Sequence, residues 1–385
     1  MAANQHRKHS LRSRGYALFG VLVTLGVAAT VGVTGIAAQS RSANPAATTA
    51  ALARAKQALI SRAASDANHP GSLPCPDAVT NIPGSNVPND GIADLLAGQS
   101  CPSPIGRLPW RTLGLPDLRD ADGERLWYIV APAYQDAAGH VINPATAGQL
   151  AGYDCGADTT ATPWPCAQPR PLGAGWAAVV LSAGPALASQ LRSPSAAADA
   201  AQYLESYASG DPYRLRLAAG SAHNDRYAAI TPDDLFALAQ RRVANEVQRV
   251  LAAYYANTAS LGQAHLPWPA TGCSSAVSCA ATMPAAPRPA TARGYLPSDD
   301  AQLNALMSAQ GMAWFDQNQW RATLAYELDG ECADGGSAAQ CGRAFATRTA
   351  EPGVTLIGNP AAAGTRATLS FAGAGAKSRM TITVQ

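Results

Sequence analysis

An uncharged stretch near the N-terminus constrains this chain more than any other feature. Residues 16–38 contain no Asp, Glu, Lys, Arg or His. At about 1.5 Å per residue, a helix of this length spans roughly 35 Å, which is enough for the core of a bilayer. We therefore expect a transmembrane helix over residues 16–38, preceded by a basic cytoplasmic leader, residues 1–15.

The distribution of charge predicts the orientation of this helix. Eight basic residues precede the first acidic residue, Asp66; removing these eight from the 28 Lys and Arg leaves 20 against 26 Asp and Glu, so the remainder carries about −6. A basic flank stays in the cytoplasm. We expect a single-pass inner-membrane protein with a periplasmic or extracellular bulk that binds no nucleic acid. A signal peptide cleaved near Gly35-Ile36-Ala37 is the competing interpretation.

The junction at the start of this stretch, Arg14-Gly15-Tyr16-Ala17-Leu18, resembles the leader junction of type IV prepilins and type II secretion pseudopilins. In that family a prepilin peptidase cuts after the glycine, and the aromatic residue becomes the new N-terminus. The resemblance implies processing between Gly15 and Tyr16. The chain departs from the family at Gly20, where a glutamate usually pairs with a neighbouring N-terminus. A minor or unassembled component is therefore expected.

Beyond the stretch, the pattern predicts a helix over residues 48–65 with one apolar stripe. Thr231-Pro232-Asp233-Asp234 is typical of a helix start, with Thr as N-cap and Pro at N1, and predicts a second helix over residues 232–256. Short runs of β-branched and aromatic residues, bounded by Gly and Pro, predict strands. The predicted strands are Leu126–Ala131, Trp176–Ser182, Gln319–Tyr326, Ala367–Ala372 and Arg379–Val384. Residues 136–172 are expected to form a long loop.

Several segments recur in the same order about 190 positions apart, which suggests a duplicated unit. Leu73-Pro74-Cys75-Pro76 matches Leu266-Pro267-Trp268-Pro269, and Gly106–Pro109 matches Gly294–Pro297. Arg125–Val130 likewise matches Asn318–Thr323. Common Leu-Pro pairs in a proline-rich chain are the alternative explanation.

These patterns predict an α+β fold class, in which the transmembrane helix precedes two tandem pilin-like units. Each unit is expected to be a helix packed on a small antiparallel sheet, rich in loops and stapled by disulfides. The predicted boundaries are 39–228 for the first exported unit and 229–385 for the second.

All eight cysteines lie beyond the uncharged stretch, as expected for disulfides in an oxidising compartment. Their spacing does not resemble that of a zinc site. The sequence leaves the connectivity open, and pairing of neighbours is the economical hypothesis. It joins Cys75 with Cys101, Cys155 with Cys166, Cys273 with Cys279, and Cys332 with Cys341.

The sequence offers few residues that indicate chemistry. Asn89-Asp90-Gly91-Ile92-Ala93-Asp94 resembles an oxygen-rich calcium turn, but a plain turn explains it equally well. We expect no metal, with Asp90 and Asp94 the candidate ligands should calcium bind. The acidic and basic residues of 117–125 are expected to form a solvated turn. No nucleophile elbow, HExxH, phosphate loop or dinucleotide motif occurs. We expect no catalytic residue, no cofactor and no enzyme.

The expected function is therefore structural: a membrane-anchored, pilin-like component of a pilus or a type II secretion apparatus. Its expected partners are the inner membrane, prepilin peptidase, and other pilin-like subunits or secretion apparatus proteins. An anchored binding module that never assembles is the first alternative, and an exported hydrolase is the second.

Overall fold

The computed structural model describes residues 45–85, 87–96, 100–156, 163–192, 199–217, 223–261, 265–280, 291–329, 355–356, 367–371 and 380–384. Within these ranges the chain forms four α-helices. They are α1 (Pro45–Ser65), α2 (Pro232–Ser260), α3 (Ala301–Ala309) and α4 (Ala313–Gln317).

Helix α1 begins at a proline and runs through an alanine-rich segment, both of which favour a helix. Its buried residues recur every three or four positions and include the predicted stripe of Leu52, Ala55, Leu59 and Ala63. This face packs against helix α2 and against the first sheet described below. The periodicity of the sequence therefore identified both the helix and the face that it buries.

Helix α2 begins with a reciprocal cap. The Thr231 hydroxyl accepts a hydrogen bond from the Asp234 backbone N–H (3.2 Å), and the Asp234 carboxylate accepts one from the Thr231 N–H (2.9 Å). This arrangement satisfies two amides that have no partner inside the helix. Lys56 Nζ of α1 lies 2.8 Å from Asp234 Oδ2, so the cap also joins the two helices.

The first sheet is a four-stranded antiparallel sheet beside α1. Its order is β1-β2-β5-β7, which are Ile105–Arg107, Trp127–Val130, Ala178–Ser182 and Arg226–Ile230. Every residue of β2 and β5 is buried. Both strands are continuous apolar runs, as is typical of central strands whose sheet is covered on both faces.

The second sheet lies beside α2, which packs against its strand Met380–Val384. The order is β10-β11-β13-β14-β12. These strands are Thr291–Tyr295, Leu324–Asp329, Ala367–Phe371, Met380–Val384 and Thr355–Leu356. The pairing is antiparallel except between β12 and β14. The first half of the predicted strand Gln319–Tyr326 is instead a 3-10 turn, Trp320–Thr323.

The two sheets repeat one arrangement of helix, loop and strands. Asp77 forms an antiparallel β-bridge with Arg107 of β1, and Ala270 forms one with Tyr295 of β10. A Cβ on Gly106 would lie 2.3 Å from the Asp77 carbonyl oxygen, and one on Gly294 would lie 1.9 Å from that of Ala270. Only glycine permits so close an approach of two backbones.

For the strands next to β1 and β10, the register makes different residues equivalent in the two sheets from those that the sequence suggests. Gly106 pairs with Tyr128, and Gly294 pairs with Tyr326. Tyr128 and Tyr326 are therefore equivalent, and both are fully buried. The predicted match of Trp127 with Trp320 is wrong, because Trp320 lies in the turn before its strand.

A third sheet occupies part of the segment that was expected to be a loop. It has the order β4-β3-β6, formed by Arg170–Trp176, Leu150–Asp154 and Arg214–Arg216. The β3–β6 pair is parallel. A two-stranded ribbon, β8 (Gly272–Cys273) with β9 (Cys279–Ala280), is the fourth sheet. Glycine and proline within β3 and β4 weaken the strand pattern, which explains why it was missed.

The predicted fold class is therefore wrong. Among the described residues, no helix combines the length and apolar character that crossing a bilayer requires. The leader 1–15 and the predicted span 16–38 lie outside the described residues. The described part is a mixed α/β structure with several sheets, parallel as well as antiparallel pairs, and disulfides.

The first and second sheets and the two long helices, α1 and α2, share one hydrophobic core. Its buried residues run without a break from Ala51 in α1 through Tyr134 and Phe236 to Phe371 in β13. The rings of Tyr134 and Phe236 lie 6.3 Å apart, and those of Phe236 and Trp320 lie 5.8 Å apart. The domain boundary predicted at 228/229 thus falls within a continuous core.

Candidate functional site

Six of the eight cysteines form three disulfides in the described part of the chain. The bonds join Cys75 with Cys101, Cys155 with Cys166, and Cys273 with Cys279. These are three of the four pairs expected from the sequence. The remaining cysteines, Cys332 and Cys341, and the predicted processing residues, Gly15 and Tyr16, lie outside the described residues.

The loop closed by the Cys75–Cys101 disulfide contains Asp90 and Asp94, together with a third aspartate that the sequence analysis missed. Asp77 Oδ2 accepts a hydrogen bond from the Gly91 N–H (2.7 Å), and Asp94 Oδ2 accepts one from the Ala78 N–H (2.7 Å). Asp77 and Asp94 are both buried, and Asp90 is half-buried. Burial, with the charges of Asp90 and Asp94, raises the pKa of Asp77 to about 7.

A second polar cluster lies where α1 ends. Side-chain ligand atoms of Asp66, His69 and Asp136 all lie within 4.8 Å of one another, as in a metal-binding group. Arg62 already contacts both carboxylates, at 2.6 Å from Asp66 and 3.6 Å from Asp136. The guanidinium supplies the positive charge that a metal would supply, and the backbone N–H groups of Asn68 and His69 bond Asp66 as well. These contacts and the charge of Arg62 hold the pKa of Asp66 below its usual value against the effect of burial.

This cluster forms one wall of a surface cavity of about 680 Å³. Beside it, Arg242 of α2 donates to the Asp66 carbonyl, and its guanidinium lies 5.9 Å from the Trp314 ring. Asn318, also from the second half, donates to the Asn68 carbonyl (2.9 Å) and accepts from the Ile142 N–H (3.1 Å). We call this set, Asp66, Asn68, Ile142, Arg242 and Asn318, the polar joint, because it connects the two halves of the chain.

The charged segment 117–125 is only partly the solvated turn that we expected. Asp117 pairs with Arg119 (2.7 Å) and Arg125 (3.0 Å) near the surface. Asp120 is buried and accepts hydrogen bonds from the Ser182 hydroxyl (2.8 Å) and the Gly184 N–H (3.1 Å). These hydrogen bonds fix the turn to the end of β5. They account for the position of Asp120 without a role as a catalytic acid or base.

Two half-buried acids, Glu205 and Asp225, face each other in the first half. The Ser206 N–H donates to Asp225 (2.8 Å), and the Asn224 N–H donates to Glu205 (3.2 Å), so neighbouring residues place the two carboxyl groups side by side. Burial raises the pKa of both acids, and the Glu205 charge raises that of Asp225 further. Two adjacent carboxyl groups that are partly withdrawn from water cannot both ionise without an electrostatic cost.

This pair predicts a pH dependence of stability. An acid whose pKa is raised by folding contributes stability that is complete below its unfolded pKa and is lost as pH rises through its folded pKa. We expect the wild type to lose stability relative to Asp225→Asn as pH rises from 4 to 8, because the variant has one acid fewer to ionise. Thermal unfolding across this range measures the difference, and a difference that does not change with pH contradicts the prediction. An Asp211→Asn variant, changed in an exposed ion pair, serves as the control.

Comparisons with protein-family models, with curated proteins and with solved structures give no match. The fold and its clusters define a disulfide-bonded, mixed α/β protein in which one helix-and-sheet arrangement occurs twice around a common core.

Proposed function

We propose that this protein is a pilin-like structural or assembly component of a pilus or type II secretion apparatus that acts through protein–protein contacts. Its bulk is exported, and it is held at the inner membrane. Its partners are prepilin peptidase and other pilin-like subunits or secretion apparatus proteins. It is not an enzyme.

The order of features along the chain carries this proposal. The prepilin-like junction at Gly15 and Tyr16 leads into the uncharged stretch 16–38, and α1 follows with its apolar stripe packed on an antiparallel sheet. Disulfides support an exported location, because they form and persist in oxidising compartments. The absence of a glutamate at position 20 favours a minor component over a bulk filament subunit.

The mature N-terminus tests the proposal directly. We expect mass spectrometry of the protein purified from a host with prepilin peptidase to find Tyr16 as the first residue. Gly15→Leu should block this processing, because the family cuts after glycine. Ala37→Leu, which removes a small residue from the competing signal-peptide site, should leave it unchanged. An intact Met1, or a cut near Ala37, would contradict the proposal.

An anchored binding module that never assembles is the second candidate. The cavity of about 680 Å³ beside the polar joint favours it, because concave surfaces with a few polar groups are typical of ligand sites. Such a module needs no cut after Gly15, so the same measurement separates the two candidates.

A further inference from the structure

We propose that Asp66, His69 and Asp136 bind a zinc ion at the wall of the cavity where α1 ends, in competition with the Arg62 guanidinium. The sequence does not indicate this site, because Asp136 lies 67 positions after His69. In the structure, one ligand atom from each of the three side chains lies within 4.8 Å of the other two. Zinc binding here requires neither a cut after Gly15 nor assembly into a filament.

The distances between the ligand atoms suit a zinc ion. Zinc bonds to histidine nitrogen and carboxylate oxygen are about 2.0–2.2 Å long, so neighbouring ligand atoms on a tetrahedral zinc lie roughly 3.4 Å apart. His69 Nδ1 and Asp136 Oδ1 are 3.1 Å apart, so a small separation admits the ion between them. The Asp66 ligand oxygen lies within 4.8 Å of its partners, and rotation of the side chain brings it to the third corner.

The backbone holds the three ligands close together. Asp66 Oδ1 accepts hydrogen bonds from the N–H groups of Asn68 (3.0 Å) and His69 (2.8 Å), which joins the first two ligands within one turn of the chain. The Asp136 N–H donates to the Leu73 carbonyl (2.9 Å), which joins the third ligand to the segment that follows His69. Ligands that are already in place lower the entropy lost on binding.

Arg62 bridges the two carboxylates in the structure described here. One guanidinium nitrogen lies 2.6 Å from Asp66 Oδ2, and the other lies 3.6 Å from Asp136 Oδ2. The Arg62 side chain is 32% exposed and lines the cavity, so it has room to turn toward solvent. Its departure would free Asp66 Oδ2 while Oδ1 keeps its backbone hydrogen bonds. Two carboxylates around one guanidinium also leave a negative charge that attracts a cation.

The ligand chemistry selects the metal. An imidazole nitrogen beside two carboxylates suits zinc, whereas calcium and magnesium prefer oxygen ligands alone. Among the described residues every cysteine lies in a disulfide, so no thiolate there competes for the ion. Three protein ligands leave a fourth position of a tetrahedral zinc open. All three ligands line the cavity of about 680 Å³, from which water or a ligand group can fill that position.

Zinc titration of the intact, tag-free protein tests the site. The protein is purified in detergent, stripped with EDTA and transferred to metal-free buffer at neutral pH. Calorimetry should find one zinc per chain, and calcium or magnesium should bind at least tenfold more weakly. Histidine modification by diethyl pyrocarbonate, followed by mass spectrometry, locates the ion. Zinc should protect His69, whereas calcium should not. A reactivity of His69 that zinc does not change would overturn the proposal.

Matched variants separate coordination from adventitious binding. Asp136→Asn should weaken zinc binding at least tenfold, because a neutral amide is a poorer zinc ligand than a carboxylate. Arg62→Gln should strengthen it at least fivefold, because it removes the competing guanidinium and its repulsion of the ion. His223→Gln, outside the cluster, should leave it unchanged. Weaker binding in Arg62→Gln, or equal binding in the wild type and Asp136→Asn, would contradict the site. The protection of His69 in the wild type decides the question should a variant fail to fold.

Discussion

Replacing Trp320 with alanine is expected to lower the free energy of unfolding by about 3–5 kcal/mol, the usual range for a large buried aromatic side chain. Trp320 is fully buried and contacts three rings from different parts of the fold. Its ring centre lies 5.8 Å from that of Phe236 in α2, 5.8 Å from Phe371 in β13 and 6.5 Å from Trp314 in α4. Removing it opens a cavity at the point where these elements meet.

Equilibrium denaturation with the disulfides intact measures this loss. Trp320→Phe should lower the free energy of unfolding by less than half as much. It keeps an aromatic ring in place and removes a buried indole N–H that has no hydrogen-bond partner. Leu261→Ala is the control, since Leu261 is 76% exposed and its truncation should change stability by about 0.5 kcal/mol or less. A Trp320→Ala loss as small as that of Leu261→Ala would contradict the central position assigned to Trp320.

The polar joint predicts the second large effect. Asn318→Ala should destabilise the protein by about 2–4 kcal/mol, because it leaves the Ile142 N–H and the Asn68 carbonyl without partners inside the fold. Asn318 itself is 1% exposed, so water does not readily replace its amide. These contacts link residues of the first half to the turn that precedes β11.

Hydrogen exchange gives this prediction a local measurement. The Ile142 amide should be protected in the wild type and should exchange at least tenfold faster in Asn318→Ala. Asn257→Ala, at an exposed position near the end of α2, should leave both the stability and the Ile142 exchange unchanged. Unchanged protection of Ile142 in Asn318→Ala would show that the joint does not hold the two halves together.

The sequence predicted the features that depend on neighbouring residues. The stripe of α1 follows from apolar residues at helical spacing, and the start of α2 follows from Thr231 and Pro232 as cap and first residue. Four of the five predicted strands overlap observed strands along most of their length. Each of these predictions uses a signal contained within one helix or one strand.

The sequence did not predict the pairing of distant segments. Matching by residue identity aligned Trp127 with Trp320, whereas the strand register aligns Tyr128 with Tyr326. Asp77 was missed for a related reason. It follows Pro76 without any periodic pattern, and it meets the turn of Asp90 and Asp94 only because Arg107 pairs with its backbone. The polar joint likewise depends on Asn318 meeting Asn68 and Ile142 across the core.

The packing of α1 against α2 has a consequence for how the chain acquires its structure. In both synthesis and the proposed export the chain emerges N-terminus first, so α1 and most of the first sheet precede α2, and the apolar stripe of α1 has no helical partner during that interval. Contacts so far apart in the sequence form slowly, and uncovered apolar surface promotes aggregation in the meantime. A chaperone that holds the nascent first half would therefore increase the yield of folded protein most when synthesis is slow between Ser65 and Pro232.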